Sequence, residues 1–346
     1  MDISRGQTAY RALALQSQCR GINACDDKEA RASIGAAIDR VDRQIGASLA
    51  FLGRDVRLVV LPEYLLTGFP MGEPIDVWAR KAALDPGGPE YEALAAVAAA
   101  HDVYLAVSAY ETDAHFPGLY FQASTIHSPA GECVLRYRRL HSMYSPTPYD
   151  VWDQYLDIYG PDAVLPVART PIGALAAIAS EEILYPELAR ALALRGAEVF
   201  VHSSAEAGSP QPTPKDVAKV ARAVENLAYV VSANTGGHVG TDIPAASTDG
   251  LSKIVGFTGH VLAEAGSGES MVANAELDLA ALRRYRARPG MGNLLARVKT
   301  ALWADEYARH DVERPHSWNG AVPERRYFAD RHAAALERLR AAGVLS

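Results

Sequence analysis

Short apolar runs such as VRLVVLPE, starting at Val56, and GALAAIAS, starting at Gly173, stop at a proline or a polar residue and alternate with amphipathic helical stretches. Runs of that length suit strands buried on both faces, and a helix between two such strands lets them pair in parallel. Asp27 to Leu52 reads as a long helix, and PEYEALAAVAAAHD, from Pro89, as a second with proline near its start. YRALALQSQ reads as the first strand, with Cys19 on it. VYLAVSAYE, YFQASTIHS and ECVLRYRRL read as three more, with PAG as a hairpin turn before the last.

A long polar and aromatic connection, His141 to Asp162, comes next. After it come the strand PIGALAAIAS, a helix from Pro186 that Gly196 stops, the strand AEVFVHSS, the helix PKDVAKVARAVENLA and the strand YVVSAN. GLSKIVGFTGHVLAEA and SMVANAELDL read as the last antiparallel pair, and two helical patterns follow from Arg283 onward. No linker or low-complexity stretch divides the chain. The expectation is one large α/β domain, residues 1–282, with two sheets between helix layers, and a helical C-terminal arm, residues 283–346.

Composition narrows the function. Thirty-four basic against 41 acidic residues leave a net charge of −7, which argues against a nucleic-acid or anionic-membrane surface. No apolar stretch approaches the roughly 18 residues of a membrane span. The N-terminal stretch lacks a basic segment followed by an apolar one, so a cytoplasmic protein is expected. Three cysteines without a CxxC pair, and ten histidines without ligand spacing, support neither a disulfide framework nor a metal site. No cofactor is expected, and the glycine clusters at Gly236 and Gly266 read as turns.

Chemistry concentrates in four segments. IASEEILYPELAR places Ser180 where a buried strand ends and a helix approaches, VVLPEYLLTGFP carries Glu63, and GECVLRYRRLH carries Arg139 and His141. ARAVENLAYVVSANTGG adds Arg222, Glu225, Asn226, Tyr229 and Asn234. In this order the segments resemble those of the nitrilase superfamily of carbon–nitrogen hydrolases, over about residues 10 to 282. The resemblance implies a four-layer α-β-β-α sandwich. It also implies a homodimer or higher homo-oligomer, built through the helix Pro186 to Arg195 and through the C-terminal arms.

Enzymes of that family use a cysteine nucleophile, a glutamate base and a lysine that stabilises the oxyanion. Alignment on Pro186 and Glu187 puts Ser180 at the cysteine position, and alignment on Tyr137 and His141 puts Arg139 at the lysine position. The catalytic set therefore reads Glu63, Arg139, Ser180. A second glutamate often found beyond the lysine is replaced by Thr147, with Asp150 the nearest carboxylate, and neither Cys19 nor Cys133 is placed to substitute for the nucleophile.

A serine hydroxyl is far less acidic than a thiol and needs a base during attack. Glu63 is the expected base. Arg139 keeps a positive charge for an oxyanion but cannot serve as a general acid. Should Arg139 pair with Glu63, the glutamate becomes a poor base. Strand alternation puts Tyr137 and Arg139 on one face and Arg136 and Arg138 on the other. His141, Tyr144, Trp152 and Glu182 are the candidate substrate-binding residues, the first three from or beside the aromatic connection, which has the character of a lid.

Three functions remain open at this level. One is hydrolysis at a carbon–nitrogen bond of a small amide-, nitrile- or carbamoyl-like molecule. The second is non-hydrolytic biosynthetic chemistry, such as condensation, cyclisation or elimination, in the same pocket. The third is silent binding or scaffolding. An open cavity holding Glu63, Arg139 and Ser180 favours the enzymes, and a site closed on a Glu63–Arg139 pair favours the scaffold.

Overall fold

The computed structural model describes residues 8–346 except 210 and 311. The first half runs β1 (Ala9–Ala14), β2 (Cys19–Arg20), α1 (Asp27–Leu52), β3 (Val56–Val60), α2 (Ile75–Ala82), α3 (Pro89–His101), β4 (Tyr104–Thr112), β5 (Tyr120–His127) and β6 (Cys133–Arg138). Helix α4 (Trp152–Tyr159) sits inside the connection that follows. The second half runs β7 (Ala168–Thr170), β8 (Gly173–Ala179), α5 (Pro186–Leu194), β9 (Val199–Ser203), α6 (Pro214–Asn226), β10 (Tyr229–Ala233), β11 (His238–Val239), β12 (Lys253–Val255), β13 (Val261–Glu264) and β14 (Asn274–Asp278). Helices α7 (Leu279–Ala287), α8 (Leu294–Arg297), α9 (Thr300–Tyr307) and α10 (Arg325–Ala341) complete the chain.

Two six-stranded sheets result, ordered β14-β1-β3-β4-β5-β6 and β13-β12-β10-β9-β8-β7. Each has a parallel centre, β1-β3-β4 and β8-β9-β10, with antiparallel strands at both edges. The period of two decides which core each residue joins. Ala12, Ala14, Leu58, Val60 and Ala106 pack between the sheets against Leu175, Ala177 and Val201. Leu13, Val59, Leu61, Leu105 and Val107 face the other way, under Ile34, Ile38, Val41 and Ile45 of α1 and Leu94 of α3. Helices α5 and α6 cover the second sheet through Leu188, Leu192, Ala218 and Ala223. The layers are therefore α-β-β-α. Each buried Leu, Ile or Val contributes about 1.5–3 kcal/mol, so this doubly buried pattern drives the fold. An Asp26–Glu29 capping box starts α1, and Gly53 at φ 110° stops it.

Some expectations change. Strand β1 ends at Ala14, and Cys19 lies on the separate β2, which pairs with β11. Between them the Gln16 amide donates to the carbonyls of Gly266 and Gly268. The two late stretches are not partners: β12 and β13 form their own hairpin in the second sheet, whereas β14 pairs with β1 in the first, with Tyr10 opposite Leu277. Apolar alternation shows which face of a strand is buried but not which neighbour it pairs with, and the glycine-rich turn around Gly268 lets the chain change sheets. Helix α2 was not expected; its apolar face is short and is anchored by the buried Trp78. Among the described residues no helix is long and apolar enough to cross a membrane.

Candidate active site

Strand β3 ends at Val60 because Pro62, two residues on, has no N–H for the ladder. The chain turns towards the second sheet: Ser203 Oγ donates to the Leu61 carbonyl, and the Glu63 N–H donates to the Ser204 carbonyl at 3.2 Å. Glu63 is thus held between the sheets with 1% exposure. Its Oε1 accepts from Gln122 Nε2 at 2.7 Å and from Arg139 Nη1 at 3.4 Å, and its Oε2 accepts from the Ala205 N–H at 3.0 Å. The Glu63–Arg139 pair that was to mark a closed site is formed, and all three triad side chains are buried.

Arg139 follows β6 and obeys the alternation of that strand. Arg136 and Arg138 both reach Glu111 on the outer face, whereas Tyr137 and Arg139 point between the sheets. Arg139 also donates to Gln122 Oε1 at 2.7 Å, to Glu181 and to the His141 carbonyl. Burial opposes its charge, but Tyr64 and the carboxylates of Glu181, Glu63 and Glu182 more than offset that and raise its pKa. It remains a guanidinium.

Glu182 is fully buried and ties two segments together. Its Oε2 accepts from Tyr137 Oη at 2.7 Å, and its Oε1 accepts from the N–H groups of Leu140 and His141 and lies 3.0 Å from His141 Nδ1. Both oxygens are engaged by protein groups, so the geometry gives it a positioning role. The His141 ring also stacks on Tyr185, with centroids 4.0 Å apart.

Ser180 comes directly after β8 and opens a 3-10 turn, Ser180–Leu184. Its φ is 50°, a left-handed conformation that costs a residue with a side chain about 1–3 kcal/mol. His202 holds it there. Burial pushes the pKa of this imidazole well below its ordinary value, so the ring is neutral. Its Nε2 donates to the Ser180 carbonyl at 2.9 Å, which leaves Nδ1 to accept from Ser232 Oγ at 2.8 Å. Arg222 of α6 donates to the carbonyls of Ile183 and Leu184 and fixes the rest of the turn. The Ser180 hydroxyl accepts a hydrogen bond from Lys215 Nζ at 3.0 Å. Lys215 was not among the expected site residues. Its one sequence signal is a lysine just after Pro214 in a helix's first turn, where the helix dipole disfavours a cation.

The aromatic connection is partly helical: a Thr147–Asp150 capping box starts a 3-10 turn that runs into α4. Trp152, His141, Glu181 and Tyr185 line a cavity of about 570 Å³ between this segment and α10. Glu181 joins that cavity to Arg139. Tyr144 lies outside its lining, 60% exposed, with its carbonyl bound by Arg325. Asp150 caps its turn and pairs with Arg331 of α10, so it does not replace the missing second glutamate at the triad. Cys19 Sγ donates to the Tyr64 carbonyl at 2.9 Å, and burial pushes its thiol up to about 12. It carries no useful thiolate. Among the described residues no three His, Cys, Asp or Glu side chains converge as metal ligands would.

Fold and site together define a four-layer sandwich with a buried carboxylate, a cation and a strained strand-end hydroxyl at its centre. The sequence profile described as carbon-nitrogen hydrolase matches residues 13–287, and the chain belongs to that family, within the nitrilase superfamily. It is 28% identical over 237 residues to a formamidase of Pseudomonas syringae pv. syringae, which covers 68% of this chain. It is 26% identical over 218 residues, 58% of this chain, to a bifunctional nitrilase/nitrile hydratase of Lupinus angustifolius. The matches span only 64% and 56% of those relatives' lengths. Saccharomyces cerevisiae Nit3 shares the fold with a TM-score of 0.63 at 21% identity, covering 83% of this chain and 95% of its own. An amidase from Nesterenkonia sp. does so with a TM-score of 0.61 at 21% identity, over 88% and 99%.

Proposed function

We propose that this chain hydrolyses a carbon–nitrogen bond of a small amide-, nitrile- or carbamoyl-like molecule, with Ser180 as nucleophile in place of the family's cysteine. The observation that carries this reading is the Ser180 backbone, kept at φ 50° by His202. Strain of this kind costs free energy and clusters where a side chain must be aimed. In this reading the Arg139 guanidinium stabilises the oxyanion, and Glu63 orients Arg139 and Gln122. The cavity lined by His141, Trp152 and Tyr185 is the route to the site, with α10 as one of its walls. Residues 1–282 carry the chemistry. The arm from residue 283 supports oligomerisation, to which the exposed Met291, Leu302, Trp303 and Tyr307 are suited.

The test is intact-protein mass spectrometry after incubation with small amides, esters, carbamoyl compounds and nitriles, wild type beside Ser180→Ala. An adduct or product that only the serine supports is expected. A second reading, silent binding, has its own support in the Glu63–Arg139 ion pair and the burial of all three side chains. No adduct and no turnover across the panel would favour it.

A further inference from the structure

We propose that Lys215, at the start of α6, is the proton-transfer partner of Ser180, so that the nucleophile works as a serine–lysine dyad. This rests on the serine-nucleophile reading above. Three groups could otherwise take the proton, and each is engaged elsewhere. Glu63 accepts from Gln122, Ala205 and Arg139, and its hydrogen bonds do not include Ser180. His202 has one nitrogen on the Ser180 carbonyl and the other on Ser232, so neither faces the hydroxyl. His141 lies 3.0 Å from Glu182 and stacks on Tyr185. Lys215 Nζ, by contrast, lies 3.0 Å from the reacting oxygen itself.

Its surroundings differ from those of the buried lysines. Lys81 pairs with Glu73, Lys219 with Glu206 and Asp216, and Lys253 with Asp216 and Glu264. Among the described residues the hydrogen-bond partner of Lys215 is Ser180, and no carboxylate lies within salt-bridge range of it. Half-buried in the first turn of α6, its ammonium meets the positive end of the helix dipole. Thr213 caps that turn by accepting from the Asp216 N–H, and Arg222, two turns along, grips the Ser180–Leu184 turn. Helix α6 thus holds the amine and the hydroxyl in one rigid frame.

The Lys215 ammonium first releases a proton to solvent, and the free amine then accepts the Ser180 proton while Oγ forms a bond to the substrate carbon. With an amide or carbamoyl substrate, the resulting ammonium returns that proton to the leaving nitrogen as the carbon–nitrogen bond breaks, and an acyl- or carbamoyl-serine ester remains. Water then gives a proton to Lys215 as it attacks the ester; the acid product departs and Ser180 regains its proton. Arg139, which cannot release a proton, serves the oxyanion throughout.

An alkyl fluorophosphonate tests the dyad without knowledge of the substrate: Ser180 Oγ bonds to phosphorus and fluoride leaves. Wild type should take up one label, at Ser180, and Ser180→Ala none. Lys215→Met and Lys215→Ala should label about 10²–10⁴-fold more slowly, the usual contribution of a general base, with unchanged thermal midpoints. Added ethylamine should restore labelling of Lys215→Ala in proportion to its concentration, which a merely structural lysine would not allow. Wild-type labelling rates in the Lys215 variants, or a slow Lys215→Ala that amines do not rescue, would overturn the dyad while leaving the serine reading intact. Absence of labelling at Ser180 in the wild type would overturn both.

Discussion

Arg138 and Arg139 are neighbours in sequence, both buried and both charged, yet they serve opposite faces of the first sheet. Arg138 enters a closed knot on the outer side: it binds Glu111 and Asp113, and its guanidinium lies over the rings of Phe121, Tyr155 and Tyr159. Arg139 enters the space between the sheets and meets Glu63, Gln122 and Glu181, whose chain neighbour Ser180 has a strained backbone. A residue's neighbours, not its type, decide whether a buried cation is structural or placed for chemistry. The knot leaves Glu111 fully buried, accepting from Arg136, Arg138 and Tyr91 Oη. Glu63 keeps two further donors, Gln122 and the Ala205 N–H, if Arg139 is lost.

The largest expected effect lies on the inner face. Ser180→Ala should reduce turnover of any substrate the wild type accepts by up to about a million-fold, the scale for losing a nucleophile, while the denaturant midpoint hardly moves. Retained turnover in that variant would break the comparison at its root. Arg139→Met should lower turnover about 10²–10³-fold, the cost of one oxyanion donor, with a smaller loss of stability than its neighbour causes. Arg138→Met should do the reverse. It removes the cation that Glu111 and Asp113 share, leaving Glu111 to Arg136 and Tyr91 and Asp113 to Tyr159 and the His115 N–H. Urea titration should show a loss of about 3 kcal/mol, the low end for a broken buried pair, with turnover preserved while the variant stays folded.

Acid separates the two faces more gently. His127, beside Tyr91 on the Arg138 side, is pushed by burial from 6.5 down to about 4, and His202 under Ser180 is pushed well below 6.5. The unfolded chain binds these protons below pH 6.5 and the folded protein does not. Stability is therefore whole above pH 6.5 and falls as pH drops from there towards 4. Each histidine contributes a slope of up to about 1.4 kcal/mol per pH unit. His127→Leu and His202→Asn should each remove one proton's worth of slope from stability measured against pH, and an unchanged slope would mean the ring is solvated. The smallest effect concerns backbone strain alone. Ser180→Gly should be more stable than Ser180→Ala by about 1 kcal/mol, and equal midpoints would mean that the turn relaxes without its serine.

Much of this was legible in the residues. Apolar runs ended by Pro62 or Ser180, and prolines opening α3, α5 and α6, marked the elements, because burial and proline act over a few neighbouring positions. The split of Arg136 and Arg138 from Tyr137 and Arg139 followed from the pleat alone. Glu63, Arg139 and Ser180 were found through segments resembling a family, and the structure brings Glu63 and Arg139 into contact, with Ser180 held by His202 and Lys215.

Other features depended on residues far apart along the chain. Pairing of β14 with β1 joins positions more than 260 apart, and the alternation of SMVANAELDL suits either sheet. Lys215 lies 35 residues from Ser180 and carries no local mark as its partner, while the φ of Ser180 is imposed by His202. By itself the sequence determined which residues are buried and which segments resemble those of the family, since hydrophobic period and turn chemistry are local. Only the tertiary structure decided which amine meets the Ser180 hydroxyl and which carboxylates meet Arg139, because hydrogen bonds form between groups that packing, not sequence order, makes neighbours.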